Sequence, residues 1–273
     1  MSVRYSPNML VMINAAEKAS RALRRDFGEV EQLQVSKKGV ADFVTSADLR
    51  AEKILREELE KARPDFGFLL EEGGEVEGEN PEYRYIIDPL DGTFNFMHGI
   101  PHWCISVGLE HKGEIIAGVV IDPIRDETFW AEKNKGSFMN NKRLRVSNRE
   151  QLEVAALATI IPGRGWGDFA KYAKELGPLT MQTNIINSMG SAALDLCYVA
   201  AGRFDGYWSC AKLKPWDVAA ASLIIKEAGG FISDKQGRKE IMDDNFIVAG
   251  NNKIHTALLK NIKESRQAEK KSA

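Results

Sequence analysis

The order of local patterns along the chain constrains its fold more than any other feature: two helical stretches, then a block of short β-type runs, then strands alternating with helices. Ser6 and Pro7 open the first stretch. Proline suits a first helical turn, and Met9, Leu10, Met12, Ile13, Ala16 and Leu23 recur near the 3.6-residue period. The spacing predicts a helix ending near Gly28. A second helix is predicted from Thr45-Ser46, with Leu49, Ile54, Leu55 and Leu59 as its apolar stripe, stopping before Pro64. The intervening QVSKKGVADF reads as a loop. From Phe66 to about Ser147, FGFLL, YRYIID, WCISVGLE, EIIAGVVID, ETFWAE and SFMNNKRLRVS read as strands, the last turning at Asn140-Asn141. Beyond them AALATII, MQTNIIN, FDGYW, FIS and FIVAG read as strands. GDFAKYAKEL, GSAALDLCYVAAG, PWDVAAASLIIKEAGG and a last C-terminal segment read as helices. The expected organisation is an α+β half over 1–148 and an α/β half over 149–265, packed tightly because no linker separates them. Residues 266–273 carry almost no apolar side chains and are expected to form a flexible tail.

The length of 273 residues allows a large core without staples. Lys plus Arg at 37 against Asp plus Glu at 39 leaves a net charge of −2, so no global basic excess exists to bind nucleic acid by neutralising phosphates. Cys104, Cys197 and Cys210 lack C-x-x-C spacing, which suggests neither a disulfide framework nor a zinc knuckle, and a reducing cytoplasm fits best. No uninterrupted apolar run approaches the roughly 20 residues of a spanning helix, and no export signal precedes the first helix. His98 and His102 stand four apart, but Pro101 opposes a helix there, and both read as loop residues. The glycines of 163–167 do not follow phosphate-loop spacing and read as a surface loop.

The chemistry concentrates in IIDPLDGTFNF, residues 86–96. Asp88 and Asp91 leave the end of a strand three residues apart, Pro89 removes one backbone donor between them, and the Leu90 carbonyl is left as a further oxygen. Carboxylate and carbonyl oxygens are what Mg²⁺ prefers. Gly92-Thr93-Phe94-Asn95 can then open a helix whose unpaired N–H groups face an anion. Taken alone, D-P-x-D-G is equally a turn joining strand to helix. Glu71-Glu72 after FGFLL and Asp217 at the start of PWDVAAASLI are the other acidic positions, and singly each also reads as an ordinary carboxylate at the end of an element.

Together, ADFVTSAD at 41–48, Glu71-Glu72, DPLDGTFNF at 88–96, GSAAL at 190–194 and PWDVAA at 215–220 give the chain a resemblance to the inositol monophosphatase family, within the Mg²⁺-dependent, lithium-sensitive phosphatases that include fructose bisphosphatases. The resemblance runs over nearly the whole chain. It implies a layered αβαβα sandwich, a homodimer, and hydrolysis of a small phosphate monoester by metal-activated water without a covalent intermediate. Carried onto this sequence, Glu71, Asp88, the Leu90 carbonyl, Asp91 and Asp217 would hold two or three Mg²⁺ ions. Gly92 and Thr93 would bind phosphate, and Asp48 would hydrogen-bond Thr93 and with Glu71 activate the water. Asp91, Gly190, Ser191, Ala192 and the residue at 210 would face the substrate, and Lys37 or Lys38 would sit on a mobile loop. Asp42 and Thr45 read as local capping and turn residues.

Three departures bear on specificity. Phe94 stands where the family usually has a second threonine, and Leu70 where a glycine commonly precedes the glutamate pair. Cys210 stands where inositol-specific members carry a glutamate that bonds the sugar hydroxyls, and a thiol is a poor acceptor. Cys210 is expected to be the only cysteine near the site, the other two being small apolar fillers. Lys212 and Lys214 add cations, and Lys212 could meet a second phosphate, as in fructose 1,6-bisphosphate or 3′-phosphoadenosine 5′-phosphate. The rival from another class is a non-catalytic dimeric interaction protein. A carboxylate-based nuclease would need a basic groove for which the neutral charge balance gives no sign.

Overall fold

The computed structural model describes residues 5–29, 35–39, 42–162, 168–209, 211–243 and 246–272, without the side chains of 35–39, 42–44 and 266–272. Helix α1 (Pro7–Phe27) begins where expected, with Ser6 Oγ accepting the Met9 N–H at 3.2 Å, and closes on Gly28. Strands β1 (Val35–Gly39) and β2 (Asp42–Thr45) pair antiparallel, Val35 opposite Thr45. The segment read as a loop is therefore a hairpin. Its sequence lacks an alternating apolar face, so the pairing shows only in the backbone. Helix α2 (Ser46–Ala62) is opened by a capping box in which Thr45 and Asp48 satisfy each other's backbone N–H groups. Its buried stripe is Ala47, Ala51, Leu55 and Leu59, a strict four-residue repeat. Leu49, two positions off that line and so on the far side of the helix, is 54 % exposed, which corrects the predicted stripe.

Strands β3 (Phe66–Leu70), β4 (Gly74–Val76), β5 (Asn80–Asp91), β6 (Cys104–His111), β7 (Glu114–Asp122), β8 (Glu127–Glu132), β9 (Gly136–Met139) and β10 (Lys142–Arg143) form one sheet in the order β10-β9-β8-β7-β6-β5-β3-β4. Neighbours are antiparallel except β3 and β5, and the short helix α3 (Thr93–Met97) follows β5 directly. The short edge strand β4 was not foreseen. A five-stranded sheet follows, ordered β12-β11-β13-β15-β14, from β11 (Ala156–Ile160), β12 (Ile185–Asn187), β13 (Gly206–Ser209), β14 (Phe231–Asp234) and β15 (Ile247–Gly250). Its helices are α4 (Phe169–Thr180), α5 (Ala192–Ala200), α6 (Pro215–Glu227) and α7 (Asn252–Ser272). The last runs on through the segment expected to form a tail.

Period-2 alternation assigns the layers. Ile87, Ile105, Val107 and Val119 point from the large sheet to α1 and α2, whereas Ile86, Cys104, Val120 and Phe129 point the other way, to α5 and α6. In the second sheet Tyr207 and Ala249 face α5 and α6, while Trp208 and Val248 face α7. Helices α5 and α6 are thus a middle layer between two sheets, apolar all round as such a position requires. The architecture is αβαβα.

Candidate active site

Strand pairing places the first two carboxylates. Leu70 lies opposite Ile87 in the parallel pair, and the Glu71 N–H donates to the Ile87 carbonyl at 3.2 Å, so Glu71 and Asp88 stand side by side. Asp88 shares the face of Ile86, toward α5 and α6. Asp91, three residues on, would point to the opposite face of a regular strand. It does not, because Asp88 faces Ser106 and Asp91 faces Cys104, three residues of β5 against two of β6. This bulge restores the phase and turns Asp91 to the side of Asp88. Pro89 sits inside it, where a missing N–H costs no ladder bond.

The fourth carboxylate comes from the other half of the chain. Asp217 lies in the first turn of α6, and its Oδ2 accepts the Lys214 N–H at 2.8 Å. Asp88 Oδ1 accepts the Leu90 N–H at 2.9 Å. Asp91 Oδ2 accepts the Ser191 hydroxyl at 2.6 Å, the Ala193 N–H at 2.7 Å and the Cys104 thiol at 3.7 Å. In each of the three aspartates the protein ties one oxygen and so fixes the rotation of the carboxylate. Thr93 Oγ1 donates to Asp48 Oδ1 at 2.9 Å and lies 3.0 Å from the Leu90 carbonyl. Asp48 Oδ2 meanwhile accepts the Thr45 N–H at 2.9 Å, so the residue that caps α2 also orients Thr93. Gly92 has φ +98°, and a Cβ there would meet the His102 carbonyl at 3.1 Å and Trp103 Cβ at 3.2 Å, so only glycine fits without strain.

Burial raises the Asp88 carboxyl well above its ordinary value, reinforced by the charges of Glu71, Asp91 and Asp217. Asp91 is raised by burial too, against the opposing effect of the Ser191 hydroxyl and the Ala193 and Ala192 N–H groups at the start of α5. Asp48 is raised by burial, against hydrogen bonds from Thr45 and Thr93. Among the described residues no three or more His, Cys, Asp or Glu side chains stand close enough together to hold a metal ion as they are placed. Chemically the set is all-oxygen, the kind that hard divalent cations take, and its buried negative charge is costly until a cation compensates it.

Of the residues the sequence nominated, Glu71, Asp88, Leu90, Asp91, Gly92 and Thr93 lie where β3 and β5 end and α3 begins, and Asp217 is near enough for its charge to act on Asp88. Gly190, Ser191 and Ala192 adjoin them, although the Ser191 hydroxyl is committed to Asp91. Cys104 corrects an expectation, since its thiol touches Asp91 and lies 3.6 Å from Ser191 Oγ. Cys210, expected to be the cysteine near the site, lies outside the described residues, as do the glycines of 163–167 and the side chains of Lys37, Lys38 and Asp42. Lys212 and Lys214 are exposed. Phe94 is 57 % exposed, and its ring lies tilted against His98 with centroids 4.3 Å apart, the His98 Nδ1 hydrogen-bonding the Phe94 carbonyl at 2.8 Å. His102, read as a loop residue, is buried beneath Gly92 with its Nε2 2.9 Å from Asp195 Oδ1. Burial pushes Asp195 up to about 6. No local pattern signals that pair, because its members are 93 residues apart.

Comparison with known proteins bears on the same residues. The profile of the inositol monophosphatase family matches residues 6–267. An inositol-1-monophosphatase of Mesorhizobium japonicum is 49 % identical over 258 residues, 94 % of this chain and 97 % of that protein. The Nus factor SuhB of Pseudomonas aeruginosa is 41 % identical over 260 residues, 94 % of this chain and 96 % of that one. The crystal structure of the extragenic suppressor protein suhB from Bartonella henselae superposes with a TM-score of 0.92 at 50 % identity, covering 94 % of this chain and 99 % of that one. With a family profile and close relatives spanning the gathered carboxylates, the chain belongs to the inositol monophosphatase family.

Proposed function

We propose that this phosphoric monoester hydrolase acts with Mg²⁺ on a small phosphorylated polyol of the inositol 1-phosphate kind. The observation that carries the reading is the bulge that brings Asp91 to the face of Asp88 and Glu71, completed by Asp217 from α6. Glu71, Asp88, Asp91, Asp217 and the Leu90 carbonyl would hold the metal. When bound, Mg²⁺ supplies positive charge to the phosphoryl oxygens and makes water a nucleophile near neutral pH. The rest falls to the chain. The N–H groups of Gly92 and Thr93, unspent at the start of α3, take phosphate oxygens. Thr93, whose own proton is directed to Asp48 Oδ1, presents lone pairs that accept a proton from water on the Glu71 side. Asp48, whose carboxyl burial has raised, can then hold the proton passed on by Thr93. Asp91, clamped by Ser191 and Ala193, keeps its second oxygen aimed into the site.

Fructose 1,6-bisphosphate and 3′-phosphoadenosine 5′-phosphate are the alternative substrates, with Lys212 and Lys214 exposed near Asp217 to meet a second phosphate. The proposal includes a homodimer: Met181, 88 % exposed, and Ile185 on the edge strand β12 offer apolar surface to a second copy. Among the described residues no helix is long and apolar enough to cross a membrane. The relative named a Nus factor carries a second reading, an interaction role. Phosphate release from the three substrates and a simple monoester, with Mg²⁺ and with EDTA, separates the two. Release abolished by EDTA, with one substrate preferred, supports the hydrolase reading. A folded, Mg²⁺-binding chain that releases nothing supports the interaction role.

A further inference from the structure

Asp217 acts on Asp88 from the first turn of α6, a helix packed on β6 and β7 of the large sheet, and the residues beneath the helix bear on how closely it sits. Gly108 on β6 and Gly118 on β7 face each other across the ladder. A Cβ on Gly118 would stand 2.7 Å from the Ala220 carbonyl oxygen and 2.9 Å from its Cα, and one on Gly108 would stand 3.0 Å from Ala219 Cβ. Neither glycine has a left-handed backbone, so no turn calls for them. Their missing side chains let the backbone of α6 rest on the sheet. Two residues from Gly108, the fully buried Ser106 donates its hydroxyl to the Trp216 carbonyl at 3.2 Å, next to Asp217. The same serine stands opposite Asp88 in the ladder. A single side chain thus ties the strand beside Asp88 to the helix turn that carries Asp217.

We propose that Ser106, with the seat made by Gly108 and Gly118, positions Asp217 against Asp88 and so sets the affinity for Mg²⁺. The inference rests on the metal site put forward above. Mg²⁺ accepts oxygen ligands only within a narrow span of distance and near-octahedral directions, so a small outward shift of α6 removes Asp217 from its reach while leaving the carboxylates of the sheet in place. Ser106 touches neither substrate nor metal; it is a positioning residue.

The test uses the full chain with Ser106→Ala, Gly118→Ala and, as control, Gly177→Ala, where nothing stands within 4 Å of an added Cβ. Mg²⁺ binding is measured by calorimetry without substrate, and hydrolysis is then followed against Mg²⁺ concentration. Ser106→Ala and Gly118→Ala should weaken Mg²⁺ binding by about tenfold or more and raise the Mg²⁺ needed for half-maximal turnover, with KM for the ester at saturating Mg²⁺ unchanged. Gly177→Ala should match the wild type. A Ser106→Ala chain that melts lower but binds Mg²⁺ like the wild type overturns the inference, since a merely structural serine would behave so. If Gly118→Ala does not fold, Ser106→Ala decides alone. If the wild type itself neither binds Mg²⁺ nor hydrolyses a monoester, the metal site falls and this inference with it; a Mg²⁺-dependent wild type beside an unchanged Ser106→Ala sinks only the inference.

Discussion

Asp217 is half-exposed at the start of α6, so Asp217→Asn should fold like the wild type, with its urea midpoint little changed, while turnover falls on the order of a hundredfold or more because the metal site proposed above would lose a charged ligand. Full activity in that variant would sink the assignment. His255 supports a prediction about pH instead. Burial lowers its pKa from the ordinary 6.5, and its Nε2 lies 2.8 Å from the buried Ser233 hydroxyl. The unfolded chain then binds the proton more readily than the folded one, so stability is full above about 6.5 and is lost as pH falls through that value toward the folded one. His255→Gln should flatten that part of the stability profile, read from thermal melts between neutral and mildly acid pH. The acidic residues proposed for the site could be picked out in the sequence only through the family resemblance, since each alone reads as an ordinary carboxylate at a turn or the end of an element. Cys104 and His102 could not: a thiol and an imidazole look the same in a list whether they pack idly or hold Asp91 and Asp195, and their partners come from distant parts of the chain.

Among the elements, those with a strong local signature were read with good boundaries. Ser6-Pro7 and Gly28 bracket α1, and Thr45 and Pro64 bracket α2, because caps are chemistry written within four residues. The β1–β2 hairpin and β4 escaped notice, since their stability lies in pairing and not in an apolar rhythm. The crossing from the first sheet to the second is held by Asp205, fully buried, whose carboxylate accepts from the Ser147 hydroxyl, from Arg149 Nε at 2.7 Å and from the Ala156 N–H at 2.7 Å. Asn251 fastens the same segment through the Ser147 and Arg149 carbonyls. Asp205→Ala strands three donors at once and should cost about 3 kcal/mol, seen as a lower denaturation midpoint with hydrolysis by the folded enzyme intact.

At the scale of the molecule, the middle layer decides what can exist alone. Helices α5 and α6 bury the Ile86, Val120 and Phe129 face of the first sheet and the Tyr207 and Ala249 face of the second. We propose the division of the chain near residue 148, and expect a fragment of residues 1–148 to be insoluble or to bind a hydrophobic dye, because one whole face of its sheet would meet water. Co-expression with 149–273 should restore a soluble complex. The layering was legible only through resemblance, since alternation of apolar residues says that two faces are covered and not by what. The bulge between Asp88 and Asp91 bears on how such a protein can change over generations. Deleting Pro89 leaves Asp88 and Asp91 two positions apart against two residues of β6, a regular stretch that keeps both on one face, so the chain should keep its circular dichroism and lose only what the extra residue shapes, the turn that presents the Leu90 carbonyl to Thr93; Mg²⁺ binding read by calorimetry should weaken and not vanish. A lineage could thus lose that codon and still inherit both carboxylates on one face, and what the extra residue passes on is the turn between them.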